Sequence, residues 1–267
     1  MARQKGILKY SGNLGGISHY KMKGLPGDFA RVANGPSKDQ IEKDPAFQRT
    51  RENNKEFGGS AKAAKSLRVG LSSVIKNFSD PQVAGRLTKI FKAINLEGSG
   101  NRGERPIDLY GNWPLLEDFE FHKGISFTSV FNAPYSITET VARDESTLDI
   151  PAFNPMDLID YPAGATHFRI LNGIAVVSNY QYDTNSKEYE VVEPALDQLS
   201  DVSYSAYLPL NAAIASTTSI VATLPSSPTL NTNVSVVNVV GIEFYQQVGA
   251  NYYLFASGNA MKVGKIF

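Results

Sequence analysis

The stretch VSVVNVVGIEFYQQV, from Val234 to Val248, is rich in β-branched and aromatic residues, which are typical of β-strands. Pro, Gly, Asn and Asp separate it from similar runs. Those runs begin at Gly124, Thr166, Glu188, Ser203, Ser219 and Asn251. A set of about seven to nine short strands predicts a mostly antiparallel, jelly-roll-like β-sandwich. We place this domain at residues 107–267.

The first 35 residues predict a short β-ribbon. The runs GILKYSG, GISHYKMK and DFARVANG are joined by NLGG and GLPG, which are strong turn sequences. A ribbon of two or three strands is marginally stable alone. We therefore expect it to lie against its own domain or against a neighbouring subunit.

A polar helix is predicted from Pro45 to Phe57. Asp44 suits the N-cap, proline suits the first helical position, and Gly58 suits the residue just past the end. Between the two phenylalanines, Phe47 and Phe57, the segment is polar on nearly every side. It is either a solvated connecting helix or a helix with a buried polar contact, within or between subunits.

A basic helical hairpin is predicted next, from the apolar periodicity of residues 60–78 and 81–96. The two helices carry exposed cations, which we predict to bind nucleic acid or an acidic partner: Lys62, Lys65, Arg68, Lys76, Arg86, Lys89 and Lys92. The Gly-rich segment 99–106 reads as a linker. The predicted fold is α+β, with a basic ribbon and helical region at 1–98 and an acidic β-domain at 107–267.

The charge is strongly asymmetric along the chain. Residues 1–100 hold 18 Lys and Arg against 8 Asp and Glu, whereas residues 101–267 hold 8 against 18. Opposite charges of this size favour head-to-tail contacts or a charged partner. The predicted acidic pole comprises Asp183, Glu188, Glu190, Glu193 and Asp197, with Asp201 beside it.

Motifs for catalysis or cofactor binding are weak. Gly98, Gly100 and Gly103 spell G-x-G-x-x-G, but a dinucleotide-binding fingerprint follows a strand and opens a helix, whereas this segment does the reverse. The opening of Asp183–Glu190 resembles a calcium loop without the required glycine and closing acid.

Other reaction chemistries also lack support in the sequence. The chain has no cysteine, and His19, His122 and His167 have no metal-site or triad spacing. Asp157 and Asp160 form a carboxylate pair with nothing to indicate acid–base catalysis. We predict no catalytic residues, no cofactor and no metal site, and therefore a protein that is not an enzyme.

The N-terminus has no continuous apolar segment of the kind found in signal peptides, and no run of about 18 apolar residues occurs. We expect cytoplasmic synthesis without a signal peptide and no membrane insertion. The expected final location is an assembled particle or filament.

Several segments resemble an uncharacterised protein family of Bacteroidota. They are MARQKGILKYSGNLGGISHYKM, DPAFQRTRENNKEFG, AKAAKSLR, RLTKI, ATHFRI and GIEFYQ. The resemblance spans most of the chain and implies a bacterial or phage-related origin, without implying an activity or catalytic residues.

The leading functional hypothesis is a structural subunit that self-assembles as a homo-oligomer into a tube, filament or shell. The predicted subunit interface comprises Ile7, Tyr10, Ile17, Tyr20, Phe47, Arg49, Arg51 and Phe57. One alternative is a nucleic-acid-binding or coat protein that uses the basic helices. Another is a carbohydrate-binding or hydrolytic β-sandwich with exposed aromatic rings at Trp113, Tyr252 and Tyr253.

Overall fold

The strands of the chain all pair in the antiparallel sense. The computed structural model describes residues 2–33 and 35–267. The strands are β1 (Ala2–Arg3), β2 (Gly12–Leu14), β3 (Ile17–Lys21), β4 (Asp28–Val32), β5 (Ser136–Glu139), β6 (Glu145–Ile150), β7 (His167–Ser178), β8 (Tyr180–Asp183), β9 (Glu188–Val191), β10 (Ser200–Tyr204), β11 (Leu208–Pro209), β12 (Thr218–Thr223), β13 (Val234–Val248), β14 (Asn251–Leu254) and β15 (Ala260–Ile266).

Two of the helices in the described residues are long and four are short. The helices are α1 (Lys38–Lys43), α2 (Gln48–Gly70), α3 (Ile75–Phe78), α4 (Val83–Glu97), α5 (Phe127–Val130) and α6 (Pro155–Leu158), with 3-10 turns at Pro45–Phe47 and Trp113–Leu115. Helices and antiparallel sheets together confirm the predicted α+β class.

The chain divides into two compact units, Met1–Asn54 and Lys55–Phe267. In the first unit, a four-stranded sheet has the strand order β1-β4-β3-β2. In the second, a six-stranded sheet has the order β10-β7-β13-β14, with β11 also paired to β7 and β15 to β13. A three-stranded sheet (β12-β6-β5) and a two-stranded sheet (β8-β9) complete it.

Strands β7 and β13 form the centre of the second unit. They pair over twelve residues, from Ser178 opposite Val234 to His167 opposite Tyr245. Their side chains are buried on both faces over most of this length. Strands that are covered on both sides are near-continuous apolar runs without alternation, which explains the composition of the stretch at 234–248.

The two faces of this central pair meet different layers. Leu171, Ala175 and Val237 lie in one core with Leu67 of α2 and Leu87 of α4. The alternate positions lie in two further clusters with strands of the three-stranded sheet; they include Ile170, Ile174, Val236 and Ile242. The second unit is therefore layered as helices, six-stranded sheet and three-stranded sheet, which includes the expected sandwich.

This layering places the boundary between units elsewhere than the sequence suggested. We expected a division at 99–106, but this segment lies inside the second unit. The reason is physical: α2 and α4 contribute apolar side chains to the same core as the central strands, so the helices and the β-strands form one folding unit rather than two domains.

Two local predictions are also wrong. Helix α2 continues through Gly58 and Gly59 to Gly70, so Gly58 lies inside a helix rather than just past its end. The run beginning at Gly124 contains the short helix α5 rather than a strand. Phe127 and Val130, which prompted the strand prediction, are buried on that helical turn.

Two adjacent glycines of α2 provide a matched test of this helix. A Cβ on Gly59 would lie 2.4 Å from Tyr189 Cγ, whereas a Cβ on Gly58 would meet nothing within 4 Å. We expect Gly59→Ala to lower the free energy of unfolding by about 1–3 kcal/mol through overpacking. Gly58→Ala should raise it by about 0.5–1 kcal/mol, since alanine favours a helix interior. Urea unfolding measures both; a destabilising Gly58→Ala would contradict the continuous helix.

Candidate assembly surface

The four-stranded N-terminal sheet is built from glycine turns and short strands. Gly15 and Gly16 both have positive φ and join β2 to β3, as a two-residue hairpin turn requires. Strand β3 then pairs with β4, and the rings of Tyr20 and Phe29 stack with centroids 6.0 Å apart. The ribbon was predicted with two or three strands, and β1 adds a fourth through its pairing with β4.

The strands of this sheet and the loops that connect them leave large apolar side chains exposed. Within 2–33 and 35–54, Phe29 is the only buried residue. Ile7 is 102% exposed, Leu8 73% and Val32 65%. The other large apolar residues exposed here are Tyr10, Leu14, Ile17 and Leu25. Of the predicted interface residues of the sheet, Ile7, Tyr10 and Ile17 are thus exposed, and Tyr20 is half-buried.

The start of α2 uses its arginines locally. Arg51 donates hydrogen bonds of 2.8 Å to the carbonyls of Ile41 and Asp44, so it satisfies acceptors at the end of α1. Arg49 forms a 2.9 Å ion pair with Glu52. Phe47 is half-buried and Phe57 is 54% exposed. The two predicted interface arginines therefore have partners within the first unit.

The polar helix also carries a buried acid that the sequence did not single out. Glu56 is 1% exposed, and its carboxylate accepts hydrogen bonds from Arg105 Nε at 2.8 Å and Nη2 at 2.9 Å. The backbone N–H of Gly103 donates to the same group at 2.8 Å, and Lys92 Nζ also contacts it. Of the two alternatives for this helix, the buried polar contact is present, and it lies within the chain.

Hydrogen bonding determines the protonation of Glu56. Burial by itself raises its pKa, but the bonds from Arg105, Lys92 and Gly103 outweigh burial and lower the pKa to about 2. The G-x-G-x-x-G segment thus binds an anion, and that anion is the chain's own Glu56 carboxylate. The segment 99–106 is held in place by these contacts rather than being a free linker.

Three of the seven predicted partner-binding cations are engaged inside the second unit. Lys62 pairs with Glu188 at 2.6 Å, Arg86 with Asp80 at 2.7 Å, and Lys92 with Glu56. Arg68 is half-buried. Lys65, Lys76 and Lys89 are exposed, and no carboxylate in the described part of the chain pairs with them.

The predicted acidic pole is likewise used partly for internal contacts. Asp197 accepts hydrogen bonds from Ser66 Oγ at 2.6 Å and from the Ser178 N–H at 2.9 Å. The side chains of Asn231 and Asn233 donate to Glu193 and lower its pKa.

The ion pair with Lys62 similarly lowers the pKa of Glu188. Glu190 is exposed and accepts from Ser186, Asp183 accepts from the Asn185 N–H, and Asp201 accepts from the Thr223 N–H. The basic helix and the acidic segment therefore meet within one chain, through Lys62 and Glu188.

The predicted carbohydrate-binding aromatics lie at separate places. Trp113 is 40% exposed and lines a cleft with Tyr110. Tyr252 instead stacks on Tyr207 with centroids 3.9 Å apart, and its neighbour Tyr253 is 57% exposed. Neither Tyr252 nor Tyr253 is among the residues that line the cleft at Trp113.

Potential catalytic and metal-binding groups are dispersed. His19 lies in β3, His122 accepts from the Gly124 N–H, and His167 packs edge-on against Tyr252. Over residues 2–33 and 35–267, no group of three or more His, Cys, Asp or Glu is arranged to hold a metal ion. None of the helices described has both the length and the apolar character needed to cross a membrane.

Comparison with protein-family models, with curated proteins and with solved structures found no match. The resemblance to a Bacteroidota family therefore stays a prediction.

The Glu56 cluster makes a prediction for stability. Glu56→Gln leaves Lys92 and Arg105 without their carboxylate, so the free energy of unfolding should fall by about 3–5 kcal/mol. The matched control is Glu97→Gln on the exposed surface of α4, which should change it by less than about 0.5 kcal/mol. Chemical denaturation at neutral pH measures both.

The same residue predicts a dependence on pH. Because the folded-state pKa of Glu56 lies below its ordinary value of 4.5, its contribution is present above pH 4.5 and is lost as pH falls towards about 2. Glu56→Gln should lack this part of the acid dependence. Identical pH profiles for the variant and the unmodified protein between these values would contradict the role assigned to Glu56.

Proposed function

We propose that the protein is a non-enzymatic structural subunit that self-assembles, with the N-terminal sheet of one copy docking on the second unit of the next. The observation that carries this proposal is the exposure of seven large apolar side chains in residues 2–33, against one buried apolar side chain, Phe29. Side chains such as Ile7 and Leu8 contribute to stability only when another surface removes them from water.

The backbone of the sheet supports the same proposal. Strands β1 and β2 are its two edges, and each pairs on one side only. A small sheet with open edges and little core can gain hydrogen bonds and burial by adding strands or packing on another chain. The predicted interface at Ile7, Tyr10 and Ile17 coincides with this exposed surface.

Charge favours a second copy as the partner. The first unit holds 10 Lys and Arg against 5 Asp and Glu, a net charge of +5, and the second holds 16 against 21, a net charge of −5. An acidic protein surface can contact both the cations and the apolar side chains of the N-terminal sheet. A nucleic acid would contact the cations through its phosphates but would leave the apolar side chains exposed.

The resulting interface would be heterologous, since two different surfaces of the subunit meet. Contacts of this kind propagate from copy to copy and either close into a ring or extend as a filament. A tube, filament or shell is therefore the proposed product.

The proposal predicts a specific loss of assembly on charge insertion. We expect the double variant Ile7→Asp, Leu14→Asp to weaken self-association by about tenfold to a hundredfold or more, because each position loses the burial of an aliphatic side chain. Met156→Asp, at a side chain that is 61% exposed in the second unit, is the matched control and should assemble normally.

Sedimentation velocity over a wide concentration range, with negative-stain microscopy of the same samples, measures the effect. Absorbance at 260 nm shows whether the particles carry nucleic acid. A monomer at every concentration, or equal assembly of the double variant and the control, would refute the proposal.

A further inference from the structure

A cleft of about 480 Å³ lies wholly within the second unit. It is lined by Tyr110, Trp113, Glu139, Thr140, Val141, Arg143, Ser235, Ile266 and Phe267. Its volume is in the range of small-molecule sites. We propose that this cleft, called the Trp113 cleft below, binds a saccharide.

The aromatic residues of the cleft are large and remain partly exposed. Trp113 is 40% exposed and Tyr110 is 41% exposed. Trp113 is also the only tryptophan of the chain. Rings of this kind offer broad apolar faces with a polar group at the edge, and the C–H faces of a pyranose ring pack on such surfaces.

Arg143 is fixed in place before any ligand arrives. It lies in the turn between β5 and β6, with a φ of 60°, and its backbone N–H donates to the Thr140 carbonyl at 3.0 Å. Its guanidinium donates to the carbonyls of Asn231 at 2.7 Å and Val234 at 3.2 Å, and it lies 5.3 Å from the centroid of the Tyr110 ring. These contacts use two of five N–H donors, so the group keeps donors for a ligand.

Ser235 supplies an independent indication of a ligand. This residue lines the cleft, and its hydroxyl is buried and has no hydrogen-bond partner within the described residues. Buried hydroxyls nearly always have a partner. A ligand oxygen at the base of the cleft would supply one after a small side-chain movement that opens the hydroxyl to the cleft.

The polar groups of the cleft match an uncharged polyhydroxylated ligand. Glu139 is paired with Lys265 at 2.5 Å, so its charge is balanced inside the chain. The lining thus combines a carboxylate acceptor, a guanidinium donor and two hydroxyls, at Ser235 and at Thr140, which donates to Asp144 at 2.8 Å and can still accept. Sugar hydroxyls both donate and accept, and they suit this mixture better than a ligand that bears only acceptors.

The test uses the fluorescence of Trp113, which reports on this cleft alone. The protein is titrated with maltotriose, cellotriose and triacetylchitotriose, and with adenosine as a flat aromatic competitor. We expect a saturable change in tryptophan emission with at least one trisaccharide, confirmed by isothermal titration calorimetry. No saturable signal with any of the sugars, or a response to adenosine alone, would overturn the proposal.

Substitutions of single residues test whether the saccharide binds in the Trp113 cleft. Tyr110→Ala and Arg143→Ala should each weaken binding by about tenfold or more, whereas Tyr253→Ala, an exposed aromatic outside the cleft, is the matched control and should bind normally. Ser235→Ala should weaken binding while leaving thermal stability equal or higher, because it removes a buried hydroxyl without a partner. Unchanged affinity in Tyr110→Ala and Arg143→Ala, or equal loss in Tyr253→Ala, would place binding elsewhere and refute the assignment.

Discussion

The antiparallel pairing of β7 with β13 is the constraint on which the second unit depends. It fixes which side chains face α2 and α4 and which face the three-stranded sheet. A shift of β13 by one residue would exchange its two sets and place Asn238 against the helices, away from Asn172 on β7. In the observed register these amides meet each other and Ser146 between the sheets, with Asn238 Nδ2 2.7 Å from Asn172 Oδ1.

Local patterns predicted some elements correctly, but the helix predicted at 60–78 ends at Gly70 and is followed by the separate α3 at Ile75–Phe78. The stripe of Val83, Leu87, Ile90 and Ile94 correctly indicated α4, and the glycine turns indicated the N-terminal sheet. The same patterns could not place the helices on the sheet, since that contact is long-range. The absence of alternation in β7 and β13 was the available signal that both faces are covered. The predicted helix end at Gly58 was wrong because the sequence does not distinguish an exposed glycine inside a helix from a glycine that ends one.

The sequence predicted the role of a residue when that role depends on its neighbours in the chain, and did not when the role depends on residues far away in the chain. Exposed Ile7 and Ile17 follow from a ribbon too small to bury them. By contrast, the engagement of Lys92 and Arg105 by Glu56 depends on residues far apart in the chain, so their cations looked free in the sequence. The Trp113 cleft also joins distant segments, and only its tryptophan was singled out beforehand. Charge counts describe the whole chain but do not show which charges are already neutralised by internal pairs.

The long separation between β7 and β13 also has a consequence for synthesis. Strand β7 leaves the ribosome well before β13, so one edge of β7 lacks its partner strand while β8 to β12 are still being translated. Closing such non-local pairings is slow compared with forming α2 or α4. Until β13 is made, the edge of β7 opposite β10 and β11 has no partner strand, and a partly folded chain with such an apolar edge is prone to aggregation and is typically held by chaperones. We therefore expect the yield in the cell to depend on how quickly β13 completes the sheet, as well as on the stability of the finished fold.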